Sequence, residues 1–565
     1  MTSLKSTTPS SSKASTPHVV IVGAGLAGIS TAISLKRQLG FEDFTIYERA
    51  DAVGGTWRDN TYPGCGSDVP GHWYSLSTDL NPKWSSYFVN QPELRAYWEE
   101  LWHKYDLVKH THLSTSVTNA EWDNHTQRYT VSLLNTKTGE KTETHAEAMF
   151  YAIGGFQEPV YPKDIGGIEK FKGDLFHSAR WRHDVELKGK RVGVIGNGCS
   201  AAQFVPEISE DPSVQVVNFC RTPQWYVPRG NFRFPGWMKW IFAHVPFVMR
   251  AYRNWIMARS DVSFLIFRKD NARLVAITKK TLTAYIKSKA PKDQLAKLIP
   301  KYSPGCKRII VDPDYLQSLK RPNVSLCWDG IDEIVEDGIK LKTGKIIPLD
   351  VIIFGTGYSI EPADLKVRGS TGGTIHEYFQ TQGGATAYAG TCMPGFPNLF
   401  TLLGPNVASG HASVIFSQES QINMGIQLIK PILEGKAKSF AITEKATDEY
   451  NTWLQGRLST SVWTECNSYY QAAGNNKSKL IATFPGPVSL FWWITRSPRW
   501  ELFQAVGAEK WEKQRKMNRV KRWGMLAVLV VLVVGMGALW KGPLQVLLPG
   551  VLEKLRTALS VSVFT

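Results

Sequence analysis

Apolar positions along this chain keep two alternating rhythms. Residues 18–23 form a short apolar run suited to a buried strand, and residues 26–39 then repeat apolar positions at helical spacing. Residues 44–48 predict a second strand. From Asn90, a cap residue followed by Pro92 in the first turn, Leu94, Tyr97, Trp98, Leu101, Trp102 and Tyr105 fall on one face and predict a helix. Residues 129–134 and 143–151 flank a Lys137-Thr138-Gly139-Glu140 turn and predict an antiparallel hairpin. Strand–helix alternation restarts at Lys190. Short apolar strands alternating with helices predict an α/β chain built on parallel sheets.

The two ends depart from this rhythm. Residues 1–17 are rich in Ser, Thr and Lys and are expected to form a disordered tail; the apolar run after them is too short for a signal peptide. Residues 523–540 (WGMLAVLVVLVVGMGALW) carry no charge and would measure about 27 Å as a helix. Trp stands at both ends, and KQRKMNRVKR precedes the run. The expectation is a transmembrane helix over 523–541, with the basic side cytosolic. That makes the chain a single-pass membrane protein with its catalytic body on the cytosolic face of the endoplasmic reticulum. A buried core helix is the alternative. Residues 542–565 form a short tail, lumenal or interfacial.

At 565 residues the chain calls for two or three domains. Its seven Cys are odd in number and contain no CxxC, which argues against a disulfide framework and a Cys-rich metal site and for a reducing compartment. The net charge of +17 is local rather than global. Residues 229–308 hold 18 Lys/Arg against 3 Asp/Glu, and residues 507–522 hold 7 against 2, leaving the remainder near neutral. This distribution argues against nucleic acid and for an anionic membrane surface. The apolar, aromatic stretch within 232–300 reads either as helices at the mouth of a substrate pocket or as a basic amphipathic surface on a bilayer.

Two motifs carry nucleotide chemistry. In IVGAGLAG, Gly23, Gly25 and Gly28 follow a strand and open a helix, so a pyrophosphate can approach the backbone at the helix N-terminus. Glu48 follows Gly28 by 20 residues, at the end of the next strand, where a carboxylate can hold ribose hydroxyls. In VGVIGNGCSAAQ, Gly196, Gly198, Ser200 and Ala201 repeat the arrangement, but the residue 20 positions after Ala201 is Arg221. An Arg there suits the 2′-phosphate of NADPH. The opposite ribose chemistry points to FAD in the first unit and NADPH in the second.

Between these units lie longer motifs. FKGDLFHSARW, with Phe171, Gly173, His177 and Trp181, resembles the FxGxxxHxxxW fingerprint of Baeyer–Villiger monooxygenases and their flavin-containing monooxygenase relatives. GGTWRDNTYPGCGSD, ending on Asp68, is similar to a second motif of that family, and GCKRIIVDPDYL resembles the segment holding its active-site arginine, here Arg308. The resemblance spans roughly residues 18–505. The chain departs from the pattern at Arg182, where Pro or Asp is usual, and at Ser468-Tyr469-Tyr470, where SWY is common.

The resemblance implies a reaction. NADPH reduces the flavin, O₂ adds to give a C4a-peroxyflavin, and oxygen is inserted beside a ketone of a bulky lipophilic substrate such as a terpenoid, steroid or polyketide. Arg308, oriented by Asp68, would stabilise the anionic species. Lys307, Arg221 and Thr222 would hold the NADPH 2′-phosphate. Gly55, Thr56, Trp57 and Tyr74 would line the FAD, and Val117 would meet adenine through its backbone. The alternatives are a flavin monooxygenase acting on N, S or activated C, and a membrane-anchored quinone reductase. A flavin disulfide reductase lacks its Cys pair, because Cys65 has no neighbouring Cys.

The expected architecture is two nested Rossmann-like dinucleotide-binding domains. Residues 18–160 and 351–505 form the FAD domain, and 161–228 with 308–350 the NADPH domain. A basic helical insertion over 229–307, a basic juxtamembrane segment over 506–522 and the transmembrane helix complete it.

Overall fold

The computed structural model describes residues 17–359, 365–472, 474 and 477–539, with side chains as far as 532. Two five-stranded sheets organise it, and both are entirely parallel. In the first, Leu399–Thr401, Ala148–Tyr151, Val19–Val22, Phe44–Tyr47 and Thr111–His112 lie side by side in that order. In the second the order is Val324–Cys327, Gln215–Phe219, Arg191–Ile195, Val351–Phe354 and Asp174–His177. Every strand of the second sheet falls in sequence between Tyr151 and Leu399, so the second unit is inserted within the first. Val19–Val22, Ala148–Tyr151 and Val351–Phe354 are buried at every residue, because a parallel sheet is covered on both faces.

Alternate residues of the first sheet feed two cores. Val19, Ile21, Phe44 and Phe150 pack on helices, including Leu26–Ser34 through Ile29, Gln91–Lys104 through Trp98 and Val414–Leu433 through Ile426. Val20, Val22, Met149 and Tyr151 pack on the antiparallel strand pair Thr115–Asp123 and Arg128–Asn135 through Val117, Trp122, Tyr129 and Val131. That second layer clamps the nucleotide-bearing edge from the side opposite the helices.

Several expectations change in detail. The predicted hairpin is real for Arg128–Asn135 and Lys141–Ala146, but Ala148–Tyr151 leaves it and joins the first parallel sheet. Chain continuity hides this switch, since Ala146-Glu147-Ala148 carries no turn signal. Val351–Phe354 pairs with Arg191–Ile195, so the boundary at 351 falls inside the second unit. Asn90 starts its helix in extended geometry, yet its side chain makes no cap. It accepts from Arg229 at 3.4 Å instead. The 229–307 segment is helical, with Gly236–His244, Val248–Ser263 and Ala272–Lys289 as its main elements.

The cysteine reading needs correction. Cys306 and Cys466 form a disulfide across 160 residues of sequence. Neither an odd count nor the lack of CxxC can reveal such a pair, because the nested topology alone brings the two segments together. The remaining five cysteines are free.

At the C-terminal end, Glu509–Leu539 is one helix of 31 residues, charged in its first half. Among the described residues, no helix is long and apolar enough to cross a membrane. The expected span 523–541 runs past the last described side chain, and its final residues lie outside the described residues. The 542–565 tail and residues 1–16 of the expected disordered tail also lie outside them.

Candidate active site

The first nucleotide turn is shaped by close backbone contact. Gly23 has φ +102, and a Cβ there would stand 2.9 Å from the Ala152 carbonyl oxygen. A Cβ at Gly28 would stand 1.9 Å from Gly23 O, so the helix can sit against the strand only without a side chain. Across the turn, a Cβ at Gly55 would come within 3.0 Å of Gly25 Cα. Gly25 and Gly55 therefore leave bare backbone on two sides of the helix N-terminus, the cradle a dinucleotide pyrophosphate fits.

Glu48 closes this unit. Its Oε2 accepts from Ala24 N–H at 2.8 Å, and its Oε1 from Ala50 N–H at 3.0 Å and Arg58 at 3.1 Å. Those three bonds fix the carboxylate and leave one of its roughly four acceptor positions for a ribose hydroxyl. Arg58, which the sequence reading passed over, is the cation of this corner. Burial opposes its charge, but Asp59 and Glu48 raise its pKa. A cavity of about 670 Å³ opens beside it, lined by Arg49, Arg58, Ser116, Thr118 and Glu158 among others. The Val117 side chain is buried in the sheet-on-sheet core, while its neighbours Ser116 and Thr118 line the cavity.

The rest of the GGTWRDNTYPGCGSD motif straps the two units together. Thr56–Asp59 is one helical turn, with Trp57 buried and its ring edge-on to Tyr74 at 5.6 Å. Burial pushes the Tyr74 hydroxyl up, with Trp57 opposing and Asp68 adding to the shift. Further along, Tyr62 donates to Gln203 Oε1 at 2.9 Å, and Gln203 donates to Gly66 O at 3.0 Å. Gly64 fits against the Gln203 carbonyl, where a Cβ would stand at 2.6 Å. Ser200, one residue into the helix Cys199–Ile208, lies within reach of the Tyr62 and Tyr358 hydroxyls. The motif is thus the contact between the first unit and the second unit's nucleotide helix.

The second turn repeats the first. Gly196 has φ +109, and a Cβ would stand 2.5 Å from Gly355 O; Gly355 in turn leaves room for the Ala201 methyl. No heavy atom lies within 4 Å of a Cβ built on Gly198, so that face is open. Asn197 donates to Thr222 O at 2.9 Å, tying the turn to the segment that follows Gln215–Phe219. Arg221 is exposed there. Burial and Arg221 together push the Lys307 ammonium below its usual range. Two cations that repel one another fit a phosphate dianion.

Arg308 and Asp68 meet where the two units face. Arg308 donates to Asp68 Oδ2 from Nη2 at 2.5 Å and Nε at 3.0 Å, while Nη1 donates to Ser409 O at 3.3 Å. Burial works against the guanidinium, but Asp68 most of all raises its pKa, so it stays charged. Tyr469, Tyr470 and Cys199 lie close enough to feel that charge. The disulfide Cys306–Cys466 holds the Arg308 segment to the loop carrying the tyrosines.

Two buried histidines differ in role. His177, on the edge strand of the second sheet, accepts from Ala179 N–H at 3.0 Å and packs on Tyr161 and Tyr358, which makes it a linker residue. His411 was not visible as a site residue. It stands two residues from Ser409, 3.8 Å from Asp261, against the rings of Phe264 and Phe267. Tertiary contact alone reveals it, since its sequence surroundings carry no spacing signal.

Two dinucleotide folds face to face, with an arginine–carboxylate pair between them and an open phosphate site on the second, define a two-nucleotide flavoprotein oxidoreductase. Residues 16–365 match the model of the flavin-binding monooxygenase-like family. The chain is 36% identical over 470 residues to a Baeyer–Villiger monooxygenase of Pseudomonas aeruginosa, covering 82% of this chain and 87% of that one. It is 29% identical over 562 residues to the FAD-binding monooxygenase ktnD of Aspergillus niger, covering 93% and 88%. Among solved structures, an oxidized steroid monooxygenase bound to NADP superposes with a TM-score of 0.74 at 26% identity, over 87% of this chain and all of that one. The closed structure of cyclohexanone monooxygenase shares the fold at a TM-score of 0.76 and 23% identity, over 86% and 99%. The chain belongs to the flavin-binding monooxygenase-like family: it is a flavin-dependent NADPH monooxygenase whose cofactors are FAD and NADPH.

Proposed function

We propose that this monooxygenase inserts oxygen beside the carbonyl of a bulky lipophilic ketone. The observation that carries this reading is the Arg308–Asp68 pair at the junction of the nucleotide units. When bound, the reduced flavin supplies activated oxygen, and NADPH supplies the reducing hydride. Attack on a carbonyl builds negative charge on oxygen, and a guanidinium that cannot lose its proton stabilises such charge. Asp68 and the Ser409 carbonyl hold the plane of that guanidinium from two sides. Arg221, Lys307 and the Asn197-anchored Thr222 segment hold the NADPH phosphate. Gly25, Gly55 and Glu48 hold the FAD. Transfer to N, S or activated carbon does not need a fixed cation beside the oxygen, so Arg308 favours the ketone reaction over it.

The lipophilic substrate class draws support from the apolar rings beside the site, where Phe264 and Phe267 pack on His411 and Trp463 stacks on Phe267. Membrane attachment through residues 523–541, with the catalytic body cytosolic on the endoplasmic reticulum, completes the proposal. It is supported by the apolar sequence after Arg522, by the basic residues before it and by the exposure of Met525, Leu526, Val528, Leu529, Val531 and Leu532. Alkaline extraction of membranes tests the attachment: a spanning helix stays in the pellet, and a peripheral protein is released.

The chemical test supplies the FAD-loaded enzyme with NADPH, ¹⁸O₂ and a matched cyclic ketone and thioether. Lactone carrying one ¹⁸O, formed in step with NADPH oxidation, is expected. Sulfoxide without lactone would transfer the assignment to heteroatom oxidation.

A further inference from the structure

The Val248–Ser263 helix has an apolar face that nothing among the described residues covers. Inward, Ile256 is buried, and just beyond the helix Phe264 and Phe267 are buried too. Outward, Ala251, Trp255, Ala258, Val262 and, past its end, Leu265 recur at spacings of four, three, four and three, and all are exposed. That is the period of a helix face made to be buried, pointing at solvent.

Neighbouring elements extend this face. The Gly236–His244 helix packs on the first through Phe242, stacked on Tyr252 at 5.2 Å, and exposes Trp237 and Trp240. Between the two helices Phe247 is 84% exposed at φ +66, a backbone state that costs energy in a bulky residue. On the other flank, Asp261 accepts from Val488 N–H at 2.8 Å and Ser489 N–H at 3.1 Å. This fixes the Val488–Thr495 helix, whose Trp492 and Trp493 are exposed, with the Arg496 guanidinium 3.2 Å from the Trp493 ring centre. Arg259 lies over the exposed Trp255 ring at 5.6 Å.

Composition and charge identify the occupant. Large aromatics with Arg stems laid across them are what the headgroup–acyl boundary of a bilayer accepts, the rings entering and the guanidinium groups reaching back to phosphate. Residues 229–308 supply 18 Lys/Arg and only 3 Asp/Glu. A second copy meeting the same face about a two-fold axis would set this excess against itself. An anionic lipid surface neutralises it.

We infer that the exposed faces of Gly236–His244, Val248–Ser263 and Val488–Thr495 seat on the interface of an anionic bilayer, a contact separate from the C-terminal helix. The same segment leads inward. Phe264 and Phe267 lie 5.5 and 5.8 Å from His411, and Ser409, two residues before it, accepts from Arg308. The seated face therefore sets the Arg308 site toward lipid, and a ketone dissolved in the bilayer enters from that side. This second step rests on the ketone reading above; the seating does not.

Hydrogen-exchange mass spectrometry on the full-length, FAD-loaded protein tests it, alone, with phosphatidylcholine vesicles and with vesicles containing phosphatidylserine. Exchange across 236–265 and 488–496 is expected to slow roughly tenfold with anionic vesicles and little with neutral ones. The combined Trp240→Ser, Phe247→Ser, Trp255→Ser variant, with normal FAD content, should lose this protection, while residues 523–539 report the C-terminal contact independently. Unchanged exchange across 236–265 with anionic vesicles would overturn the seating. So would slowing that appears without vesicles and grows with protein concentration, which would assign the face to a second copy. Vesicles should also lower the KM for a lipophilic ketone in the wild type and not in the variant. Seating without that KM effect would overturn lipid-side entry alone, and failure of lactone formation would strike the ketone reading while leaving the seating intact.

Discussion

Arg308 and Asp68 meet on a single atom. Both Nε and Nη2 of Arg308 converge on Asp68 Oδ2, and the third nitrogen, Nη1, is turned to the Ser409 carbonyl. The pair is therefore a swivel fixed at two points, with the second carboxylate oxygen outside the fork. A cation held this way is positioned before any negative charge forms, so little reorganisation accompanies the reaction.

Replacing either partner should separate charge from position. Arg308→Ala removes both, and kcat for oxygen insertion should fall about 10²–10³-fold with FAD content unchanged. Asp68→Asn keeps the shape but loosens the guanidinium, and should cost less. In both variants NADPH oxidation should continue as hydrogen peroxide release, which a coupled peroxidase assay measures against lactone. A variant that forms lactone at the wild-type rate would remove Arg308 from the chemistry.

Arg221 and Lys307 make a separate prediction about coenzyme choice. Loss of a charge-assisted phosphate contact is worth roughly 1.5–3 kcal/mol, so Arg221→Ala should raise the KM for NADPH about tenfold to a hundredfold. The KM for NADH, which lacks the 2′-phosphate, should change little. Lys307→Met should act in the same direction, and the pair should be non-additive because each cation destabilises the other. Equal effects on both coenzymes would mean the two residues do not read the phosphate.

What could be read in the sequence, and what could not, divides by range. The glycine turns at Gly23 and Gly196 were legible because their constraint is local: strand, turn and helix are contiguous, and the requirement for no side chain is written in the residue. Glu48 and Arg221 were legible for the same reason, each standing one strand further on. The partner of Asp68 came from a resemblance rather than from spacing, since 240 residues separate it from Arg308. Gln203 against Gly64, Ser409 on Arg308 and Asp261 near His411 have no local signature. Nor has Cys306 with Cys466. These depend on how the second unit folds inside the first, which periodicity does not encode.

The Cys306–Cys466 bond tests the proposed cytosolic placement. Disulfides are rare in the cytosol and persist in oxidising compartments. With the catalytic body cytosolic, alkylation inside intact cells should label both thiols, and peptide mapping should find them unlinked. A linked peptide under the same treatment would place the body in an oxidising compartment and reverse the proposed orientation. In purified, oxidised enzyme, Cys466→Ser should cost about 2–5 kcal/mol of stability, because the bond closes a long loop. Urea unfolding with and without reductant measures the difference.

A buried histidine weakens the fold in acid. His72 is enclosed by the rings of Phe234 and Phe242 at 4.8 Å and Tyr252 at 5.3 Å. Burial lowers its pKa from 6.5 to about 4. Between those values the unfolded chain binds a proton that the folded chain refuses, so stability falls as pH drops through this window and rises again toward neutrality. His177, lowered to about 4 by burial and then by Arg180, acts in the same sense. Moving from about pH 7.5 to about pH 5 should cost roughly 2 kcal/mol for each histidine. His72→Phe keeps an aromatic ring in the box and removes the contribution of His72. Its urea midpoint should therefore fall less with acid than that of the wild type, whatever its value at neutral pH. Equal acid losses in the two proteins would mean that His72 takes up no proton on unfolding in this range.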